Sequence, residues 1–343
     1  PAPEFGGRRL SWPRGRVLGG SSAINGLIYI RGQREDFDHW RQLGNAGWGY
    51  DDLLPYFRRA EHQERGSDEY HGTGGPLGVS DLRAPHELHD AFVAGAQELG
   101  YPLNADFNGA SQDGAGTYQV TVRGARRSSA AVAYLRPAMR RPNLRVETHA
   151  HVRRVLFDGR RAVGVEYDRA GACQTVRAAR EVLLAGGAIA SPQLLQLSGV
   201  GPAKLLRGLD IPVVHDLPAV GENLQDHLNT RIIYRVRRPN TINEVSRSRL
   251  KQARAGLEYL LLRRGVLMMG AAPLGLFVRT RDGLASPDVQ YQFLAGSAPK
   301  AGEAMHDFPG CTLVCIPCRP ESRGWLHIRA PDPAQPPAIQ PNY

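Results

Sequence analysis

The sequence predicts a mixed α/β chain built as two units, and three observations carry that prediction. Residues 181–185 (EVLLA) form a continuous apolar run that enters Gly186-Gly187 and then a helical segment with Pro192 in its first turn. A strand, glycine turn and helix in that order is a unit of a parallel, nucleotide-type sheet covered by helices on both faces. Upstream, residues 144–147, 152–157, 162–168 and 173–178 are short alternating runs, punctuated by Asp158-Gly159 and Ala170-Gly171; this is the pattern of a β-meander. Downstream, 231–236, 288–294, 311–317 and 325–329 alternate as strands around an amphipathic helix at 250–264, which suits an antiparallel sheet with a helix on one face. A chain of 343 residues is long enough for about two such units.

Taken in order, the chain begins with its most informative stretch, residues 15–38 (GRVLGGSSAINGLIYIRGQREDFD). Glycines at this density let a backbone approach a ligand where any Cβ would clash, while Ser21, Ser22 and Asn25 supply polar contacts. The apolar run 27–30 anchors the loop. On residues alone, the alternative is a tight turn between two structural elements. Helical spacing follows at 37–40 and 51–61, with Asp51 placed as a cap and Leu53, Leu54, Tyr56 and Phe57 turned inward. Residues 62–79 read as a surface connection. Residues 86–100 predict an amphipathic helix with Leu88, Phe92, Val93, Ala96 and Leu99 as its stripe and Gly100 as its stop. Residues 101–127 lack periodicity and predict a long ordered loop. His71, His86 and His89 fall in this polar region, where solvated or structural roles are expected.

Composition narrows the function classes. The formal net charge is +10, but 40 of the 43 basic residues are arginines, scattered and without aromatic interleaving, which argues against a nucleic-acid partner. Cys311, Cys315 and Cys318 cluster in a strand-like segment, and with Cys173 they offer no metal-ligand spacing; free buried thiols and a reducing, cytoplasmic setting are expected. The apolar stretch 265–278 is too short, and too broken by Gly270, Pro273 and Gly275, to predict a membrane span.

Motif resemblance sharpens the reading. Gly15-Arg16, Leu18-Gly19-Gly20-Ser21-Ser22, Ile24-Asn25, Tyr29, Gly32 and Asp38 resemble the first hallmark motif of the glucose–methanol–choline (GMC) family of flavin oxidoreductases. Residues 187–201 (GAIASPQLLQLSGVG) resemble its second, and Tyr70-His71-Gly72, residues 221–227 (GENLQDH) and Ser322-Arg323-Gly324 also look like this family, within it the choline dehydrogenase and alcohol dehydrogenase branch. The resemblance implies a doubly wound FAD-binding domain with a β-meander at 1–228, and an antiparallel-sheet substrate domain at 229–343. It implies FAD lined by Gly20, Ser21, Asn25, Gly26 and Ile28, with Val152 toward the adenine and Gly186 and Gly187 at the cofactor. Covalently flavinylated members carry a histidine where Ile24 stands, so the flavin is expected to be held non-covalently.

No G-x-G-x-x-G occurs, and residues 6–20 resemble the lead-in to the first motif, so the chain reads as an internal fragment. The first βαβ unit is expected upstream and the catalytic histidine downstream. No catalytic residue is therefore assigned here, and His227 is expected to be structural. The implied activity is oxidation of an alcohol CH–OH group, choline-like or another primary alcohol, with hydride transfer to FAD and onward to a quinone, another carrier or oxygen. Its alternatives are a non-catalytic binding or assembly module and a nicotinamide-dependent dehydrogenase; the missing glycine fingerprint argues against the latter. The expected location is cytoplasmic, with peripheral inner-membrane contact as a variant of it.

Overall fold

The computed structural model describes residues 10–237, 240–270, 272–300 and 302–343. Residues 6–9 of the motif lead-in lie outside them. Helices and strands are mixed as predicted, and the chain divides into two compact units.

The larger unit comprises Ser11–Leu144 and Asn229–Arg319. Its centre is a five-stranded antiparallel sheet in the order Thr230–Arg235, Gly310–Pro317, Val289–Leu294, Leu274–Val278, Gly114–Thr117. Helix Glu87–Glu98 covers one face: Phe92 stacks on Phe293 at 4.9 Å, and Ala96 packs with Ala115, Leu276 and Val278. Phe107, Tyr118 and Phe277 form a further cluster, onto which Ile28 and Ile30 pack. That contact ties the glycine-rich loop to the core of this unit, and Ile28–Tyr29 pairs with Gln119–Val120 in a separate two-stranded sheet.

The smaller unit comprises Arg145–Leu228 and Pro320–Tyr343, with Leu10. Its meander is the antiparallel sheet His151–Asp158, Arg161–Arg169, Ala172–Arg177, with Gly159 and Gly171 at positive φ in its turns. Helix Gly187–Leu197 is fastened to it where Ser198 Oγ accepts the Val155 N–H at 2.8 Å. Gln196 is wholly buried and acts as a staple. Its Nε2 donates to the carbonyls of Val220 and Leu326 at 3.0 Å, and its Oε1 accepts the Ile328 N–H at 2.9 Å.

Several expectations are corrected. Residues 181–185 are not a strand, and Leu183 is 80% exposed. Apolar composition alone does not make a strand; no described strand pairs with this run. Parallel pairing among the described residues is confined to two short strand pairs, Glu61–Gln63 with Leu77–Val79 and Val200–Gly201 with His215–Asp216, and a single bridge between Leu103 and Ala115. Residues 144–147 are likewise outside any strand. The predicted loop at 101–127 instead holds strand Gly114–Thr117 at the sheet edge, where Gly116 lies so close to the Asn104 carbonyl that a Cβ would come within 1.9 Å of it. Helix Tyr50–Ala60 starts from Gly49, whose N–H is taken by Asp52 at 3.1 Å, while Asp51 bonds Arg34 instead. Tyr56 and Leu99 point outward. All four cysteines are free, with Cys311 buried, Cys315 and Cys318 half-buried, and Cys173 exposed. Burial raises the Cys318 thiol to about 11, so it is held as an unreactive thiol.

Candidate cofactor site

The loop owes its shape to three glycines with different tasks. A Cβ on Gly15 would lie 2.2 Å from the Gly20 carbonyl oxygen, so the chain can cross itself there only with glycine. Gly19, at φ +93°, faces Ala131, whose Cβ would be 3.1 Å from an added Cβ. Gly20, at φ +54°, faces open space: nothing lies within 4 Å of an added Cβ. The packed side of the loop thus ends at Gly20, which starts the 3₁₀ turn Gly20–Ala23.

Side chains hold that turn from both ends. Ser21 Oγ accepts the Gly15 N–H at 3.2 Å; Ser22 Oγ donates to the Gly19 carbonyl at 2.5 Å and accepts the Ala130 N–H at 2.9 Å. Arg127 reaches in from strand Arg126–Arg127, where Nη1 donates to the carbonyls of Ser22 and Asn25 and, at 2.7 Å, to Asn25 Oδ1. Asn25 Oδ1 also accepts the Leu27 N–H at 3.2 Å. The Asn25 acceptor is therefore committed to the loop, and its amide NH₂ is the end suited to a ligand. Gly26 is approached by Gly270, where a Cβ would fall 2.3 Å from the Gly26 carbonyl oxygen. Arg127 was not singled out from sequence, because nothing local signals a contact across 102 positions.

Behind the loop lies a buried charged cluster. The Arg31 backbone N–H donates to Asn108 Oδ1 at 2.7 Å, Nη1 donates to the Tyr70 carbonyl at 2.8 Å, and Nη2 lies 2.9 Å from Glu61 Oε1. His71 bridges Glu61 Oε1 at 2.9 Å and Asp106 Oδ2 at 2.8 Å. Burial alone would lower the His71 pKa, but the hydrogen bonds to Asp106 and Glu61 outweigh it and raise it to about 9. At neutral pH the ring is an imidazolium that donates to both carboxylates. His71 thus has a structural role, and is not solvated. His86 is the N-cap of helix Glu87–Glu98 and accepts the Leu88 N–H at 3.1 Å; His89 is buried.

In the smaller unit, Val152 lies on strand His151–Asp158, the edge of its sheet, next to a bulge between Val152 and Arg154. A bulge at an edge leaves backbone N–H and C=O groups available to a ligand. Gly186 is the N-cap of helix Gly187–Leu197, whose first N–H groups meet no side-chain cap. Gly187, at φ +77°, has nothing within 4 Å of an added Cβ. The 221–227 segment is held by Leu224 pairing with Gly324, by Glu222 Oε1 at 2.6 Å from His327 Nε2, and by the Tyr343 hydroxyl on Asp226. Among the described residues no group of three or more His, Cys, Asp or Glu could hold a metal ion.

These motifs carry a family signature. Residues 2–229 match the GMC oxidoreductase family. The chain belongs to that family. Among its relatives, the human mitochondrial choline dehydrogenase is 45% identical over 98% of this chain and 57% of its own length. The oxygen-dependent choline dehydrogenase of Brucella ovis is 42% identical over 100% of this chain and 62% of its own. The chain thus spans about 57–62% of the length of these GMC relatives. In solved structures, the pyridoxine 4-oxidase of Mesorbium loti matches with a TM-score of 0.85 at 30% identity, over 98% of this chain and 63% of that one. An Aspergillus oryzae formate oxidase, solved to follow FAD modification, matches with a TM-score of 0.84 at 26% identity over 96% and 63%.

Proposed function

We propose that this GMC chain serves the FAD-dependent oxidation of an alcohol CH–OH group to an aldehyde or ketone, with choline or another small primary alcohol as substrate. The observation that carries the proposal is the 45% identity to a choline dehydrogenase over nearly the whole chain. FAD supplies the hydride acceptor that side chains lack.

The residues fit such a group. Gly20 and Gly187 both offer backbone next to open space, so a planar or anionic cofactor meets no Cβ there. On this reading Gly20, Ser21, Asn25, Gly26 and Ile28 hold the flavin or pyrophosphate, with the Asn25 amide donating and Arg127 keeping that amide oriented. Val152 offers backbone groups to the adenine. Gly186 and Gly187 open a helix whose free N–H groups and dipole favour an anion. Residues 1–228 act as the cofactor part and 229–343 as the substrate part. No residue of this chain is proposed as the base. Ile24 has no nucleophile to bond the flavin, so retention is non-covalent. No helix among the described residues is long and apolar enough to cross a membrane; we place the protein in the cytoplasm, with peripheral contact at the inner membrane.

The test is to purify the full-length protein, release its chromophore by denaturation, and assay dye reduction with choline and a panel of primary alcohols. Released FAD with alcohol-dependent turnover is expected. A colourless protein with no turnover on any alcohol would overturn the reading.

A further inference from the structure

His71 stands where two hydrogen-bonded routes to the glycine-rich loop meet. It is buried, and its two ring nitrogens reach different carboxylates, Glu61 at 2.9 Å and Asp106 at 2.8 Å. The first route is direct, since Glu61 Oε1 lies 2.9 Å from Arg31 Nη2. The second runs through Asn108, whose backbone N–H donates to Asp106 Oδ1 at 2.9 Å. The buried Asn108 carboxamide then grips the chain on both sides of Ile30: Nδ2 donates to the Tyr29 carbonyl at 3.1 Å, and Oδ1 accepts the Arg31 N–H at 2.7 Å. Both routes therefore close on residues 29–31, at the end of strand Ile28–Tyr29.

The loop needs such bracing at one residue. Leu27, between Gly26 and the strand, has φ +69°, a left-handed conformation that a bulky side chain keeps only where its surroundings impose it. Its carbonyl is held by the Thr121 N–H at 2.8 Å and by Thr121 Oγ1 at 3.1 Å. With residues 29–31 released, Leu27 is free to relax, and the adjoining Asn25 and Gly26 move with it.

Protonation decides whether His71 serves both routes. An imidazolium donates from both nitrogens, whereas a neutral imidazole has one N–H and leaves one carboxylate without its donor. Burial works against the charge, but the hydrogen bonds to Asp106 and Glu61 prevail and hold the pKa at about 9. Glu61 is itself faced by the Arg31 guanidinium and the Tyr29 phenol, and Asp106 by Arg65. Arg58 and Asp68 bond only the His71 backbone, at its carbonyl and its N–H, and do not compete for the ring.

We propose that His71 is a positioning residue for the cofactor loop: through Glu61 and Asp106 it fixes residues 29–31, and with them the turn at Leu27 that places Asn25 and Gly26. The proposal rests on the reading that FAD lies along this loop. Its test uses the full-length protein, first stripped of flavin for amide hydrogen exchange and then titrated with FAD. In His71→Gln, residues 20–31 should exchange faster than in the wild type while helix Glu87–Glu98 keeps its protection. FAD affinity should fall about tenfold, the loss of one buried hydrogen bond to a charged group. Asn108→Ala, which cuts the second route beyond His71, should shift both readouts in the same direction. The wild type carries its own control against a variant that fails to fold. Between pH 7 and pH 9.5 its loop exchange, corrected for the intrinsic rate, should rise and its FAD affinity should fall, whereas His71→Gln should show neither change. Loosening spread evenly through helix Glu87–Glu98, a wild-type loop indifferent to pH, or FAD binding that ignores both variants would overturn the proposal alone. A wild type that binds no FAD would overturn the cofactor reading and this proposal with it.

Discussion

Arg31 and Glu61 form an ion pair of 2.9 Å with side chains only 3% and 0% exposed. Arg31 lies two residues beyond the strand that anchors the glycine-rich loop, and Glu61 also accepts the Gly72 N–H at 2.9 Å and contacts His71. One carboxylate thus joins the loop to two other segments. Removing it strands two buried cations. Glu61→Gln is expected to cost about 3–5 kcal/mol of stability, read as a lowered urea midpoint; an unchanged midpoint would show that the pair carries no structural load.

Two buried histidines give opposite pH limits. The His71 pKa is raised to about 9, above its unfolded value, so its contribution is complete below about pH 6.5 and is lost as pH rises through 9. His89 moves the other way: burial, then the neighbouring His86 charge, lower it to about 4. Its ring folds neutral, so stability falls as pH drops from about 6.5 toward 4. Melting temperatures from pH 4 to 10 should fall at both ends. His71→Gln should flatten the alkaline fall alone, and His89→Leu the acidic fall alone. Retention of the alkaline slope in His71→Gln would contradict the assignment.

Adjacent glycines should respond differently to alanine. Gly19→Ala meets a packed wall and a φ of +93°, so about 1–3 kcal/mol of stability should be lost. Gly20→Ala faces open space, and should cost only about 1 kcal/mol through its left-handed backbone, while placing a methyl where the cofactor is proposed to lie. Flavin titration beside chemical unfolding separates the two. Equal effects of both changes on flavin affinity would argue against an open cradle at Gly20.

Asn25 and Arg127 should act as a pair. Asn25→Ala is expected to weaken flavin binding roughly five- to a hundredfold, as removing a hydrogen-bonding partner costs about 1–3 kcal/mol. Arg127→Ala, which frees the same carboxamide and two loop carbonyls, should produce a similar loss, and the double variant less than the sum. Additive losses would mean that Arg127 does not act through Asn25.

Periodicity made much of this fold legible. Helix Glu87–Glu98 with its stop at Gly100, the three-stranded meander, and the strands at 230–235, 289–294 and 310–317 follow their apolar spacing closely. Strand Gly114–Thr117 was silent because its sequence, GAGT, has no side chains large enough to alternate. Its small residues are needed there: Ala115 is fully buried, and a Cβ on Gly114 would fall 2.2 Å from the Pro102 carbonyl oxygen. Residues 181–185 show the reverse error, an apolar run with no strand beside it among the described residues. At the candidate site, glycine density marked the loop. The contacts that set it, Arg127 to Asn25 and Arg31 to Glu61, join positions too far apart for any local pattern to signal.

The most direct test of the central claim is anaerobic reduction of the purified full-length protein. Choline or another primary alcohol should bleach the visible band of bound oxidised flavin in a single turnover, and acid precipitation should then leave the flavin in the supernatant. A protein without flavin, or a flavin that no alcohol reduces while a reduced nicotinamide does, would contradict the account.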